Sequence, residues 1–391
     1  MAIDRCRITI IIMPTITRTT LTLTQLLSHL IRLPTITGDQ PACRSALDWI
    51  ETQLAGLPLT IKRFNNHGFG SLIATTSGTT DEKNPRLWLA GHLDVIPGTV
   101  VDFEPSIKDG RLIGRGAFDM KYAIACFIRL AQELGDDLAN YDLGIMITTD
   151  EELSGAYGTR WLLDNQGYRG GAVLLPECGT SWSIETGAKG VMRWQITSYG
   201  KASHGSRPWN GVNAIELFMR FLNQLKTNVP AEPCGDEQHQ HATINLGQLD
   251  GGRIANQVPD RATAMIDVRL SPGISLAEAS SWFSAAARAV PGVNAHMLAG
   301  NAATTNIAGQ PVALFTNIVR AETGRDLVPM ISHGASDGRY FQAHGIAVIS
   351  VPPTGGGQHS AHEWVDLASL NQYYAITRRF AREWAGPKRP V

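Results

Sequence analysis

Leu143-Gly144-Ile145-Met146-Ile147-Thr148-Thr149-Asp150-Glu151-Glu152-Leu153-Ser154-Gly155 runs from an apolar segment into three consecutive carboxylates. The apolar part reads as a buried strand of a helix-covered sheet. Unpaired acids at the end of such a strand repel one another and lose solvation. Either this end lies open to solvent or a strong positive charge sits beside it.

The surrounding chain repeats the same texture. RLWLAGHLDVI (86–96) and GAVLLPE (171–177) are further apolar runs, with KYAIACFIRLAQEL (121–134) and GTRWLLDNQ (158–166) between them at helical spacing. TLTQLLSHLIRL (22–33) and ACRSALDWIETQLAGL (42–57) are two earlier helices. Strand–helix alternation of this kind predicts an α/β domain with a mainly parallel sheet and helices on both faces. From about Lys189 the pattern changes. VMRWQITSYG, HATINLGQL and RATAMIDVRL alternate as half-exposed strands do, with helices NAIELFMRFLNQL (213–225) and LAEASSWFSAAARAV (276–290) among them. After Gly300 the first texture returns in PVALFTNIVRAETG, IAVISV and ASLNQYYAITRRFAREW. The reading is a catalytic α/β domain in two parts, 13–188 and 303–391, interrupted by an inserted α+β domain, 189–302, with a sheet and two helices.

Composition narrows the function. Hydrophobic residues at 43%, charged residues at 18% and a net charge of −1 over 391 residues describe an ordinary globular protein. They exclude the electrostatic footprint of a nucleic-acid or anionic-membrane binder. Cys6, Cys43, Cys126, Cys178 and Cys234 are odd in number and lack CxxC spacing, which argues against a disulfide framework and for the cytoplasm. Arg5 and Arg7 before ITIIIM imitate a signal peptide, but Pro14 breaks the run and no small-residue cleavage site follows. Met13 offers a second start. No stretch approaches the ~18 apolar residues of a membrane span.

Each apolar run of the first domain leads into ligand-type residues: Gly91-His92-Leu93-Asp94, Asp150-Glu151-Glu152, Glu177, and Gly355-Gly356-Gly357-Gln358-His359. Asp119, in GRGAFDMK, precedes a helix. Singly these have ordinary readings: a surface histidine, acids at a helix N-terminus, an isolated glutamate. Jointly they point to a shared metal, because the carboxyl ends of parallel strands form one rim. Mixed imidazole and carboxylate ligation suits zinc, manganese or cobalt.

At these residues the sequence resembles the metallopeptidase family of succinyl-diaminopimelate desuccinylase, acetylornithine deacetylase, aminoacylase and glutamate carboxypeptidase. GHLDVIPG, GRGAFDMK, TTDEELSG and the closing HSAHEWV are similar to its catalytic motifs. GKASHGSRPWNGVNAI and GGRIANQVPDRATAMIDVR resemble its inserted-domain segments. The likeness implies two divalent ions per chain, Zn²⁺ foremost with Co²⁺ or Mn²⁺ as substitutes. Asp119 would bridge them, with His92 and Glu177 completing one site and Glu152 and His359 the other. Glu151 would be the general base and Asp94 would orient His92. His204 would donate to the oxyanion, on the partner's site in dimeric members, and Asn256 and Arg269 would bind the substrate carboxylate. For Arg269 an ordinary ion pair on a strand is the alternative. Ser336-Asp337-Gly338-Arg339 resembles the segment that shapes the pocket floor.

The sequence departs from the family pattern in three places. Tyr122 stands where a glycine usually follows the Asp-Met-Lys motif, Ala335 stands where desuccinylases have threonine, and the loop after GHLDVIPG lacks their tryptophan. The expected activity is zinc-dependent deacylation of an N-acylated amino acid, by metal-activated water attack, in a homodimer that binds neither nucleic acid nor membrane. Dipeptidase or carboxypeptidase action on a short peptide is the alternative within the family. A metal-retaining binding protein is a third reading, which the intact Glu151 and Asp94 oppose.

Overall fold

The computed structural model describes residues 21–177, 179, 181–229, 241–334 and 336–387. Arg5, Arg7, Met13, Pro14, Cys6, Cys178, Cys234 and Ala335 lie outside these residues. Among the described residues, a six-stranded sheet has the spatial order Leu59–Asn66, Phe69–Thr76, Leu143–Thr148, Leu87–His92, Ala172–Leu174, Ala347–Ile349. The last four strands are parallel to one another. The first two form an antiparallel hairpin added at one edge. Leu87–His92 and Leu143–Thr148 are buried along their whole length, which explains runs without alternation. The hairpin escaped the sequence reading because its first strand is half-polar and only partly buried. Its turn is His67-Gly68, both at positive φ (52° and 91°), as a two-residue hairpin loop needs.

Helices Gln40–Leu54, Lys121–Leu134, Gln310–Thr323 and Leu367–Ala385 pack on this sheet. Leu23–Arg32 begins at a Thr22 capping box, a device worth ~1 kcal/mol. It buries Leu23, Leu26, Leu27, Leu30 and Ile31 against Lys121–Leu134. Cys43 and Cys126 are buried free thiols. No helix among the described residues is long and apolar enough to cross a membrane.

A second apolar core gathers residues between Met192 and Val293. Its four-stranded antiparallel sheet has the order Thr243–Gly251, Arg261–Leu270, Gly190–Tyr199, Val293–Asn301. Helices Ala214–Asn228 and Leu276–Ala289, capped by Asn213 and Ser275, pack together against it. Burial alternates along both central strands, as expected for a sheet covered on one face. The edge strand Val293–Asn301, largely exposed, is an element that periodicity did not reveal. The chain leaves and re-enters the first unit side by side: Ala188 pairs with Thr304. A Cβ at Gly190 would lie 2.6 Å from the Ala303 nitrogen, so only glycine permits that approach.

Candidate metal centre

The four parallel strands are neighbours, so their carboxyl ends form one rim. His92 ends Leu87–His92, Glu151 and Glu152 follow Leu143–Thr148, and Glu177 follows Ala172–Leu174. His359 comes from the loop after Ala347–Ile349, and Asp119 from the turn before helix Lys121–Leu134. Their ligand atoms fall into two groups, His92–Glu151–Glu177 and Asp119–Glu152–His359, each with atoms within 4.8 Å of one another. Asp119 joins the groups: Oδ1 lies 3.0 Å from His92 Nε2 and Oδ2 lies 3.5 Å from His359 Nε2. His359 Nε2 is also 3.2 Å from Glu152 Oε2. The six residues foreseen at the rim are thus brought together, with Glu151 inside the His92 group rather than apart from it.

His92 is oriented mainly by backbone. Its Nδ1 lies 2.9 Å from the Asp94 carbonyl oxygen, with the Asp94 carboxylate behind it at 3.6 Å. Donation from Nδ1–H to the carbonyl leaves Nε2 to face the site. The Asp94 carboxylate has further work. It accepts from the Glu151 and Glu152 backbone nitrogens at 3.3 and 3.2 Å and from the Thr37 hydroxyl at 2.9 Å. It therefore holds the turn that carries both glutamates.

The far end of that turn is held too. Ser154 has φ +102°, and its carbonyl accepts from Arg339 Nη2 at 2.7 Å and from the Tyr340 hydroxyl at 2.5 Å. Gly155, at φ +60°, has no room for a side chain, because a Cβ would sit 1.8 Å from Asp337 Oδ1. Asp150 faces away from the two groups. Its Oδ2 accepts from Tyr157 N at 2.7 Å and Gly158 N at 3.0 Å, closing the loop behind the glutamates. Burial, with Asp337 nearby, pushes its carboxyl up to about 7.

A positioning residue without an assigned role in the sequence is Glu363. The strand pairing of Trp364–Asp366 with Arg111–Ile113 lays it along the Asp119 loop. Its buried carboxylate accepts from the backbone nitrogens of Gly116, Phe118 and Asp119 at 2.9, 2.8 and 2.8 Å, and from Arg115 Nη1 at 3.3 Å. These bonds fix the segment that aims Asp119. Glu363 stands in the closing HSAHEWV motif, but three of its four partners are main-chain groups that leave no trace in sequence.

The electrostatics fit a cationic occupant. Burial pushes the Glu151 and Glu177 carboxyls well above the usual range, and for Glu151 the Glu177 charge adds to it. Glu177 Oε2 is buried without a hydrogen-bond partner. Burial disfavours a charged His92, yet hydrogen bonds to Asp119 and Asp94 outweigh it and hold its pKa well above the ordinary value. Hydrogen bonds to Asp119 and Glu152 raise His359 to about 10. Divalent ions would offset these buried carboxylates, and their binding would displace protons from the ligand atoms. Two imidazoles with carboxylates form the donor set of zinc, cobalt or manganese. The residues fit that group.

The residues foreseen in the inserted unit are not among the two ligand groups. His204 is exposed, with Nδ1 2.8 Å from Ser206 Oγ, and it bridges to Gln257 beside Asn256. Gly205 N donates to the Asn256 carbonyl at 2.7 Å. Arg269 lies at the opposite end of the inserted sheet, paired with Val191. It bonds Asp267 at 2.8 Å and reaches the His333 carbonyl in the first unit at 3.4 Å. The ion pair considered as its alternative is therefore present. The strand Gly190–Tyr199 between these ends has 10 residues. At ~3.3 Å per residue it separates them by about 30 Å. Within one chain, Arg269 and the His204–Asn256 pair do not converge.

The sequence model of Peptidase family M20/M25/M40 matches residues 88–383. Succinyl-diaminopimelate desuccinylase from Rhodospirillum centenum is 30% identical over 383 residues, covering 92% of this chain and 97% of that protein. The enzyme of the same name from Caulobacter sp. is 29% identical, covering 91% and 95%. Among solved structures, a tripeptidase from Staphylococcus aureus superposes with a TM-score of 0.74 at 22% identity, covering 92% of this chain and 98% of that one. Aminopeptidase PepT from Bacillus cereus gives 0.73 at 21% identity, covering 92% and 97%. With the match spanning most of the chain and all six rim residues, the chain belongs to Peptidase family M20/M25/M40.

Proposed function

We propose that the chain is a dinuclear amidohydrolase that removes the acyl group from an N-acylated amino acid. Family membership makes it a metal-dependent hydrolase of an amide bond; the two-ion site, its residue roles and the substrate are the proposal. The observation that carries it is Asp119 standing between His92, which groups with Glu151 and Glu177, and His359, which groups with Glu152. Asp119 would serve both ions, His92 and Glu177 would hold one, and Glu152 and His359 the other, with Zn²⁺ foremost. When bound, the ions supply Lewis-acid chemistry that polarises the amide carbonyl and acidifies water. Glu151 takes the proton of the attacking water and returns it to the leaving amine. Asp94 and Arg339 keep the Glu151 turn in place through the bonds described above. Arg269, with its fork-shaped guanidinium, binds the substrate carboxylate.

The names of the relatives support the deacylase reading, and the likeness to an aminopeptidase and a tripeptidase keeps peptide hydrolysis as the second. N-succinyl-diaminopimelate, N-acetylornithine and simple dipeptides assayed side by side with added Zn²⁺ or Co²⁺ separate the two. Turnover of the acyl substrates is the expected result, and turnover of dipeptides alone would overturn the deacylase assignment. The cysteine pattern supports a cytoplasmic enzyme.

The separation of His204 and Asn256 from Arg269 supports a homodimer in which the partner supplies the first two. Its alternative is closure of the inserted unit over its own site. The role of His204 is to donate to the oxyanion. His204→Ala is then expected to lower kcat by ~10²- to 10³-fold with metal content unchanged. Mixed dimers of His204→Ala and Glu151→Gln chains, confirmed by mass spectrometry, should regain activity, because one of their sites has both groups. No regain in confirmed mixed dimers would place His204 within its own chain or outside the reaction.

A further inference from the structure

We infer that Tyr122 is a positioning residue for Glu177 and tunes metal affinity at the His92–Glu151–Glu177 group; this rests on the metal-site reading above. Tyr122 is fully buried at the start of helix Lys121–Leu134, three residues after Asp119. Its hydroxyl donates to the Pro176 carbonyl at 2.5 Å. The ring is wedged between Phe118, stacked at 6.0 Å, and Tyr373, edge-on at 5.7 Å, so the hydroxyl is delivered by a ring that has no room to swing.

The bond matters because of where Pro176 stands. It lies between the end of strand Ala172–Leu174 and Glu177, and proline has no N–H with which to join a ladder. The following carbonyl, that of Glu177, accepts the Ser350 hydroxyl. Two hydroxyls therefore hold the carbonyls on either side of the Glu177 Cα. One comes from the helix start next to Asp119, the other from the neighbouring strand end. Glu177 Oε2 has no hydrogen-bond partner, and the side-chain partner of this carboxylate is Glu151 of the same group, so the backbone on either side of Glu177 supplies the support from outside the group. Loss of such a supporting contact typically lowers metal affinity ~10- to 100-fold.

A tyrosine that merely fills space makes a different prediction, because phenylalanine fills the same space. Metal-free wild type and Tyr122→Phe are titrated with Zn²⁺ in competition with a chromogenic chelator, with circular dichroism and melting of the metal-free proteins alongside. The expected result is one zinc constant weakened ~10- to 100-fold and the other unchanged, in a protein of native spectrum. Excess Zn²⁺ should restore kcat with KM unmoved. Ser350→Ala, which frees the next carbonyl, should weaken the same constant, and it provides the test should Tyr122→Phe fail to fold. Unchanged zinc constants in a folded variant, or equal weakening of both, would overturn the inference. Absence of zinc binding by wild type would overturn the metal-site reading itself, and this inference with it.

Discussion

Glu151→Gln is expected to lower kcat by ~10²- to 10⁴-fold while metal content stays near that of wild type. Glutamine keeps the shape of the side chain, and the Asp94 bond to the residue 151 nitrogen is untouched by the change. What it loses is the carboxylate that accepts a proton. Burial and the Glu177 charge push the Glu151 carboxyl upward, and neighbouring cations would act in the opposite sense, keeping it ionised to accept that proton. Glu152→Gln should behave differently. Its carboxylate lies 3.2 Å from His359 Nε2 in the Asp119 group, so its loss should appear first as lower metal occupancy. Kinetics and metal analysis on both variants decide the matter; the opposite pattern would exchange the two roles.

Chelation should abolish hydrolysis altogether, and Zn²⁺ or Co²⁺ should restore it, with occupancy reaching two ions per chain. The site gathers His92, Asp119, Glu151, Glu152, Glu177 and His359, and its like charges are relieved only by protons or cations. Metal removal should also lower the melting temperature, since ions that bind only the folded chain stabilise it by mass action. Inductively coupled plasma analysis, activity and melting before and after dialysis against a chelator measure all three. Full activity in a thoroughly demetallated sample would sink the metal assignment.

The buried runs 87–92 and 143–148 and the ligand-type residues after them were legible because a parallel sheet permits little else: both faces are covered, so the strands are continuously apolar, and function collects where they end. The helix Leu23–Arg32 was equally readable from its apolar spacing. The hairpin Leu59–Thr76 and the edge strand Val293–Asn301 were not, because half-exposed strands carry mixed residues whose pairing is decided by partners distant in sequence. The sequence expects Asp94 to orient His92; its carbonyl bonds the imidazole, its carboxylate lies 3.6 Å from the same nitrogen, and that carboxylate also holds the Glu151–Glu152 turn.

By itself the sequence determined the fully buried strands, the amphipathic helices and the ligand-type residues at the strand ends, since these follow from periodicity, strand ends and residue chemistry. Tertiary structure alone decided how those residues are held. Glu363 on three backbone nitrogens, Arg339 on the Ser154 carbonyl and Tyr122 on the Pro176 carbonyl are side-chain-to-backbone contacts across up to 247 residues. A main-chain acceptor or donor is the same at every position. Only the folded path of the chain selects which one a side chain meets.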